Sequence, residues 1–224
     1  MRKTRFRNAA LLGIAGIGTA GAIALGPAAG AQATEIPINP AAGETVAAQS
    51  VPGTAPVEKQ LDVNGALQPN GYYCGPAASR IALSAHGTPP SFDTLARELG
   101  TTRAGTQSID DITRVLNEHR GGGYTSVKFD APTVTAEQTA ALRTDVTTAI
   151  SQGDPVVANI VGQVHDTDGQ KHRYAGGHYV TITGYSDDGQ TVTITDPADR
   201  DGDNVYQLTI DDMADWMATR GYSH

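Results

Sequence analysis

Residues 68–78 have the sequence QPNGYYCGPAA. It contains the single cysteine of the 224 residues, Cys74. A polar and aromatic turn precedes Cys74, and the segment that follows is typical of a helix, with Pro76 in the first turn, where proline is tolerated. Backbone N–H groups at a helix N-terminus stabilise a thiolate and lower its pKa. The stretch therefore predicts a nucleophilic thiol at the start of a helix.

The surroundings of Cys74 favour this interpretation over the simpler alternative, in which the cysteine is a small buried apolar residue. Gly75 is expected to let a substrate approach the sulfur closely. Gln68, upstream of the cysteine, carries an amide that could donate a hydrogen bond to the oxyanion formed when a thiolate attacks a carbonyl. Taken alone, Gln68 would be interpreted as an ordinary loop residue.

The N-terminus has the pattern of a secretory signal peptide. A basic segment comes first, an apolar segment over residues 9–25 follows, and small residues lead to Ala31-Gln32-Ala33, an A-x-A-like cleavage site. The apolar segment is short for a bilayer span, which disfavours the alternative of an uncleaved membrane anchor. We therefore expect residues 1–33 to be removed and the protein to be secreted. An exported protein usually pairs its cysteines or lacks them, so the lone thiol calls for a functional explanation.

The next segment, residues 34–57, is rich in Pro, Ala, Thr and Gly and has almost no large apolar side chain. Such a segment cannot bury enough apolar surface to offset the entropy lost on ordering. It predicts a flexible linker, and we place the folded domain at residues 58–224.

Composition narrows the classes of partner. The chain has a net charge of −8, and basic residues are concentrated at the extreme N-terminus. An acidic domain without a Lys/Arg cluster is a poor match for nucleic acid or an anionic membrane. A single cysteine excludes an intramolecular disulfide and any multi-cysteine zinc or iron–sulfur site. We expect a monomer that needs no cofactor.

The periodicity of the domain changes from helical to strand-like along the chain. Helical spacing and capping signals come first, and alternating apolar residues come later, which predicts an α+β fold with an N-terminal helical half and a C-terminal antiparallel sheet. The predicted helices are 74–85, 91–99, 108–119, 135–152 and 209–218, and the predicted strands are 124–129, 156–161, 179–185, 191–195 and 205–208.

Among the six histidines, His178 is the best candidate for a general base. It opens an alternating strand in which Val180 and Ile182 share its side, so we expect His178 to point toward the core. The other histidines lie at helix ends, at the terminus or in a predicted polar loop over residues 163–174: His86, His119, His224, His165 and His172.

Asp196 is the candidate partner of His178. A three-residue hairpin loop over residues 187–189 would pair Ser186 with Gln190 and make His178 the diagonal neighbour of Asp196 on one face, within side-chain reach. A carboxylate beside an imidazole fixes its tautomer and stabilises the imidazolium. The alternative is that Asp196, which precedes a proline, only forms a turn at the strand end.

These motifs together resemble the bacteriocin-processing branch of the papain-fold cysteine peptidases, cysteine peptidase family thirty-nine. The resemblance covers most of residues 61–216 and is carried by the run from Gln68 to Ala78, by Gly-Gly-His178-Tyr-Val and by Thr-Ile-Thr-Asp196-Pro. It implies a papain-like fold and a bacterial thiol protease that acts on a peptide or protein substrate. It also implies the roles: Gln68 as oxyanion donor, Cys74 as nucleophile, His178 as general base and acid, and Asp196 as the residue that orients His178.

The chain departs from the best-studied members of that family in one respect. Those members are N-terminal domains of membrane exporters that trim double-glycine leaders, whereas this chain has a predicted signal peptide of its own. The resemblance therefore points to the free-standing, secreted subgroup, and the leader substrate does not carry over.

Alternative functions remain open at this level. The same residues would serve a cell-wall peptide hydrolase or an acyltransferase with an amine acceptor. A binding module with an idle site is the alternative from another class, because a lone thiol oxidised outside the cell would lose its reactivity.

Two acidic segments are weaker candidates for metal sites. The segment 165–172 contains two histidines and two aspartates, but it lies in the predicted polar loop. The segment 199–203 suggests calcium, yet it lacks the glycine that an EF-hand requires at its sixth position, where Asn204 stands. We assign no metal ligand.

Overall fold

The computed structural model describes residues 56–200 and 204–224, which belong to one compact unit, Ser50–His224. The predicted signal peptide and the predicted linker, apart from Pro56 and Val57, lie outside the described residues. The elements are β1 Lys59–Gln60, α1 Cys74–Ser84, α2 Phe92–Glu98, α3 Ile109–Arg120, β2 Ser126–Lys128, α4 Ala136–Gln152, β3 Val156–His165, β4 Lys171–Ser186, β5 Thr191–Thr195, β6 Val205–Thr209, α5 Ile210–Trp216 and β7 Gly221–Ser223.

Helices α2 to α5 each begin after a Ser or Thr whose side chain accepts a backbone N–H of the first turn. Helix α4 begins with a capping box, because Thr135 and Gln138 satisfy each other's backbone N–H groups. At α3 the box is incomplete. Ser108 accepts from the Asp111 N–H, but the Asp111 carboxylate accepts from the Ser108 hydroxyl and not from its backbone.

The strands form one antiparallel sheet in the order β2-β7-β3-β4-β5-β6, and β1 pairs with β4. Helices α1, α2 and α3 pack on one face, where Val157 and Tyr179 meet them. Helices α4 and α5 pack on the other face, where Ala158, Val180 and Ile182 lie. The α+β prediction is therefore confirmed, and both faces of the central strands are buried because successive side chains point to opposite helical layers.

The prediction of a polar loop over residues 163–174 is wrong. Strands β3 and β4 continue through it as a hairpin, with Val164 opposite His172 and a tight turn in which the Gly169 N–H donates to the Asp166 carbonyl. The polar composition of the segment suggested a loop, but one side of the ribbon is exposed. Lys171 and Arg173 lie on the exposed side, while His172 and Tyr174 are partly buried. The short strands β1 and β7 also escaped prediction, because two or three residues carry no periodicity.

The predicted register of the β4–β5 hairpin is wrong at the turn and right at its far end. Ser186 pairs with Thr191 and not with Gln190, so the connection is one residue longer than expected. A bulge beside Thr183 then inserts one extra residue into β4, and the Ile182–Ile194 pair follows the predicted register. The bulge thus cancels the error at the turn before the strands reach His178 and Asp196.

No helix among the described residues is both long enough and apolar enough to cross a membrane.

Gly221, at the start of β7, is a place where the fold depends on glycine. It pairs with Asn159 of β3 on one side and with Lys128 of β2 on the other. Its φ is +152°, and a Cβ atom there would lie 2.1 Å from the Val127 carbonyl oxygen.

We therefore expect Gly221→Ala to lower the free energy of unfolding by about 1–3 kcal/mol more than Gly123→Ala, measured by urea unfolding. Gly123 is the matched control, because it also has a positive φ but has open space around its Cα atom. Equal losses in the two variants would contradict the predicted clash.

Candidate active site

Cys74 is the first residue of α1, as the sequence predicts, and its side chain is half-buried. The helix follows from the Ala-rich sequence after Pro76, which buries its face against the helical layer and the sheet. Thr181 of β4 donates its hydroxyl to the Ala78 carbonyl at 3.0 Å, inside the core. This bond ties α1 to the strand that carries His178 and so sets the position of the sulfur relative to the imidazole.

Gly75 has a different role from the one expected. A Cβ atom at this position would lie 2.2 Å from the Thr106 hydroxyl oxygen, so the absence of a side chain makes room for Thr106 and not directly for a substrate. Thr106 is in turn held by a 2.7 Å hydrogen bond with Thr101. The loop that contains Thr106 thereby packs against the start of α1, next to the thiol.

His178 and Asp196 are brought into direct contact. His178 Nε2 lies 2.7 Å from Asp196 Oδ1, and both side chains are almost completely buried. The His178 ring stacks on Tyr174, with centroids 4.0 Å apart and planes at 23°. Because Nε2 faces the carboxylate, Nδ1 is the ring nitrogen left for the thiol, with which His178 also hydrogen-bonds.

Asp196 has no solvent exposure, and other groups complete its hydrogen bonds. The Tyr174 and Tyr206 hydroxyls donate to Oδ2 at 2.8 and 2.9 Å, and the Ala198 N–H donates to Oδ1 at 2.8 Å. Burial and the neighbouring carboxylate raise the pKa of both phenols, so the tyrosines remain donors. No sequence motif marks either tyrosine as a partner of Asp196, because the carboxylate lies 22 residues from Tyr174 and 10 from Tyr206 along the chain.

The electrostatics of the site favour an ion pair between thiolate and imidazolium. Burial by itself raises the pKa of the Cys74 thiol, but the His178 hydrogen bond and charge, with backbone N–H groups of Tyr179 and Gly75, outweigh it and hold the pKa below its ordinary value. Burial also disfavours the charged form of His178, yet its hydrogen bonds with Asp196 and Cys74 raise its pKa to about 9. Burial raises the pKa of Asp196 as well, and the hydrogen bond from His178 and the other donors bring it below its usual range.

Gln68 lies in the loop before α1, and its side chain is buried. Its backbone N–H donates to the Pro197 carbonyl at 2.8 Å, so the loop is held beside the residue that follows Asp196. Its amide Nε2 donates to the Asn70 carbonyl at 2.7 Å, and its Oε1 has no hydrogen-bond partner within the part of the chain described here. Gln68 is not among the residues that line the cleft at the sulfur.

A cleft of about 210 Å³ opens beside the thiol. Three loops and strand ends contribute to it: the loop that contains Thr106, the Gly-Gly pair before His178, and the segment that joins α5 to β7. Its lining is Cys74, Ala104, Gly105, Thr106, Gln107, Asn159, Gly176, Gly177, His178, Tyr179 and Arg220. Asn159, Gln107 and Arg220 carry no sequence signal that links them to Cys74.

The two segments considered for metals have different outcomes. His172 pairs with Asp166 at 2.9 Å, and its ring stacks on Tyr206 with centroids 3.7 Å apart, so both side chains belong to the packing around Asp196. Within residues 56–200 and 204–224, no group of three or more His, Cys, Asp or Glu side chains is arranged to hold a metal ion. Residues 201–203 of the second segment lie outside the described residues.

The sequence of the folded domain matches the model of a protein family. The model of the Peptidase_C39 like family matches residues 54–224. A search of curated proteins finds no match.

Solved structures show similar folds at low sequence identity. A protein from Bacillus anthracis described as a C39-like peptidase is 13% identical, with a TM-score of 0.51 over 74% of this chain and 96% of that chain. The peptidase domain of Streptococcus ComA, a bifunctional ABC transporter of a quorum-sensing pathway, is 18% identical, with a TM-score of 0.46 over 73% and 95%. A double-glycine-motif protease from an AMS/PCAT transporter is 12% identical, with a TM-score of 0.46 over 73% and 91%. At such identities the likeness concerns the fold alone.

The ionisation of Cys74 generates a prediction. Because the folded-state pKa is lowered, the thiolate is present below the pH at which a free cysteine, with a pKa of about 8.5, loses its charge. The rate of alkylation by iodoacetamide should therefore stay high as the pH falls through 7 and decline only at the lowered pKa. His178→Ala removes the cation and leaves the burial, so the midpoint should move upward and the rate at pH 6 should fall by at least about tenfold. A midpoint near 8.5 that His178→Ala does not move would contradict this assignment.

Proposed function

The chain belongs to the Peptidase_C39 like family, and on that premise we propose that it is a cysteine peptidase with Cys74, His178 and Asp196 as its triad. The observation that carries the proposal is the position of the His178 imidazole, which lies beside the Cys74 thiol on one side and 2.7 Å from a buried carboxylate on the other. A cysteine with a purely structural role needs no imidazole beside it. Burying the Asp196 carboxylate costs free energy even with four hydrogen-bond donors, and an imidazolium next to it offsets part of that cost.

The geometry supports acyl transfer. The Cys74 thiolate attacks the carbonyl carbon of the scissile peptide, and the carbonyl oxygen becomes an oxyanion. His178 then gives its proton to the leaving amine, which departs and leaves a thioester on the sulfur. In the second half, His178 takes a proton from water, the water attacks the thioester, and the acid product and the thiolate are released.

Gln68 is proposed as the side-chain donor to the oxyanion. A primary amide has two N–H groups, and the hydrogen bond to the Asn70 carbonyl uses one of them. The anchor between the Gln68 N–H and the Pro197 carbonyl supports this role, because it connects the Gln68 loop with the Asp196 turn. The Cys74 backbone N–H, at the helix N-terminus, donates to no other residue in the described part of the chain and is the second donor.

Asp196 is proposed to orient and not to react. Its pKa is low, and its carboxylate accepts from four groups at once, so it remains an anion that holds the His178 ring and stabilises the imidazolium. The two tyrosines fix Oδ2 and leave Oδ1 directed at Nε2.

Digestion of a peptide library with the purified protein tests the activity. We expect cleavage by the wild type and none by Cys74→Ala.

Gln68→Ala should lower kcat/KM for a cleaved peptide by about 10²–10³ while barely changing iodoacetamide alkylation, because alkylation develops no oxyanion. Equal kcat/KM for Gln68→Ala and wild type would remove Gln68 from the mechanism. A thiol that alkylates normally in a protein that cleaves no peptide would favour the idle binding module.

We further propose that the protein works outside the cell as an enzyme of the secreted subgroup. The support is the pattern over residues 1–33, which has the basic, apolar and small-residue segments of a signal peptide. A mature protein that begins at Thr34 would keep the whole of the matched region.

The intact mass of protein recovered from the culture medium tests export. We expect a species that lacks residues 1–33. A secreted species that retains Met1, or a protein found only inside the cell, would contradict the proposal.

A further inference from the structure

We propose that Arg220 is a specificity determinant that binds a carboxylate of the substrate in the cleft beside Cys74. The inference rests on the proposed peptidase function and adds a substrate class, peptides with an Asp or Glu side chain or a terminal carboxylate close to the scissile bond. The side chains that line this cleft are mostly polar, whereas those of the core are apolar.

The cleft is polar. Among the described residues that line it, no Val, Leu, Ile, Met or Phe side chain is present. Apart from Ala104 and the Tyr179 ring, its side chains are amides, a threonine hydroxyl, the reactive pair and one arginine. Gly176 leaves open space where a side chain would stand. A cleft of this kind does not favour large apolar residues, because it offers little apolar surface on which to bury them.

Arg220 is held in place by its backbone. Its N–H donates to the Met217 carbonyl at 2.8 Å, and its carbonyl accepts from the Phe129 N–H at 2.9 Å. The next residue, Gly221, is paired on both sides within the sheet, opposite Asn159. A Cβ atom on Gly177 would lie 3.5 Å from Arg220 Nη2, so the guanidinium covers the glycine that precedes His178. The charge is thus presented in the cleft by a rigid segment, next to the catalytic imidazole.

The Arg220 guanidinium makes no hydrogen bond or ion pair with any residue that the structure describes. Arg220 and the carboxylates of Asp110 and Asp111 all act on the Tyr179 phenol. Both carboxylates have partners other than Arg220. Asp110 pairs with Lys128, and Asp111 accepts from the Ser108 hydroxyl. In an acidic protein an arginine without a carboxylate partner, facing a cleft, is a ready site for a carboxylate of another molecule.

The chemistry favours a carboxylate over other anions. A planar guanidinium presents two parallel N–H groups that match the two oxygens of a carboxylate. The proposed substrates are peptides, whose anionic groups are the side chains of Asp and Glu and the C-terminus. The cleft touches the sulfur, so the carboxylate would lie within one or two residues of the bond that is cleaved.

Matched peptides test the specificity. From a sequence cleaved by the wild type, variants that differ only by Asp against Asn at each position near the scissile bond are compared, each with a free and an amidated C-terminus. We expect the wild type to prefer the acidic member at one position, or the free C-terminus, by about five- to tenfold in kcat/KM. Arg220→Gln should abolish the preference and Arg220→Glu should transfer it to a Lys-containing peptide. Arg97→Gln, which removes an equal charge from α2 outside the cleft, should keep it.

A second measurement does not need peptidase activity. Iodoacetate and iodoacetamide both alkylate the thiolate, but only iodoacetate carries a carboxylate, so the ratio of their rates reports the cation in the cleft. We expect Arg220→Gln to lower this ratio about threefold or more at low ionic strength, and salt to diminish the difference. Arg97→Gln should leave the ratio unchanged.

The two measurements separate the two hypotheses. Cleavage without an acidic preference, or a rate ratio that Arg220→Gln does not change, would overturn the role of Arg220. A changed ratio in a protein that cleaves no peptide would support the carboxylate site and contradict the peptidase function. A preference that survives Arg220→Gln would assign the selectivity to another group.

Discussion

The buried hydrogen bond between His178 and Asp196 is the interaction on which the rest of the structure depends. An ionised carboxylate without solvent exposure loses its hydration, and the loss is tolerable only where donors replace the water. Asp196 finds them in an imidazole, two phenols and a backbone N–H, contributed by β4, β6 and the turn that follows β5. These elements must therefore meet at one point, which constrains the register of half the sheet.

The irregularities of β4 serve this constraint. Between the Tyr174 and His178 pairs with β3, the strand carries extra residues that include the two glycines, and the bulge near Thr183 shifts its register against β5. Without these bulges, an ideal ladder would move the imidazole relative to the carboxylate, since a slip of one residue turns a side chain to the opposite face. The same strand holds α1 through Thr181, so the distance from sulfur to imidazole and the distance from imidazole to carboxylate are set by one element.

The two sides of the imidazole differ sharply in environment. Toward Asp196 the surroundings are aromatic and closed, with Tyr174 stacked on His178 and Tyr206 stacked on His172. Toward Cys74 the surroundings are polar and open to the cleft. This arrangement keeps the Asp196 carboxylate away from water, so that its charge acts strongly on the imidazole, and leaves the Cys74 sulfur open to the cleft.

The sequence by itself determined the α+β class, the long helices, the central parts of the long strands and the position of Cys74 at a helix start, because periodicity and capping are local. It also determined that His178 and Asp196 share a face. The predicted turn is one residue too short, but the bulge near Thr183 restores the predicted register before these two residues. Gly184 is a signal that could have indicated the bulge, as glycine inside a strand often does. Only the tertiary structure decided which tyrosines hold Asp196, that Thr106 occupies the space above Gly75, and that Arg220 reaches the cleft. These contacts join residues far apart in the chain, and their partners depend on how helices and strands pack, about which a local pattern carries no information.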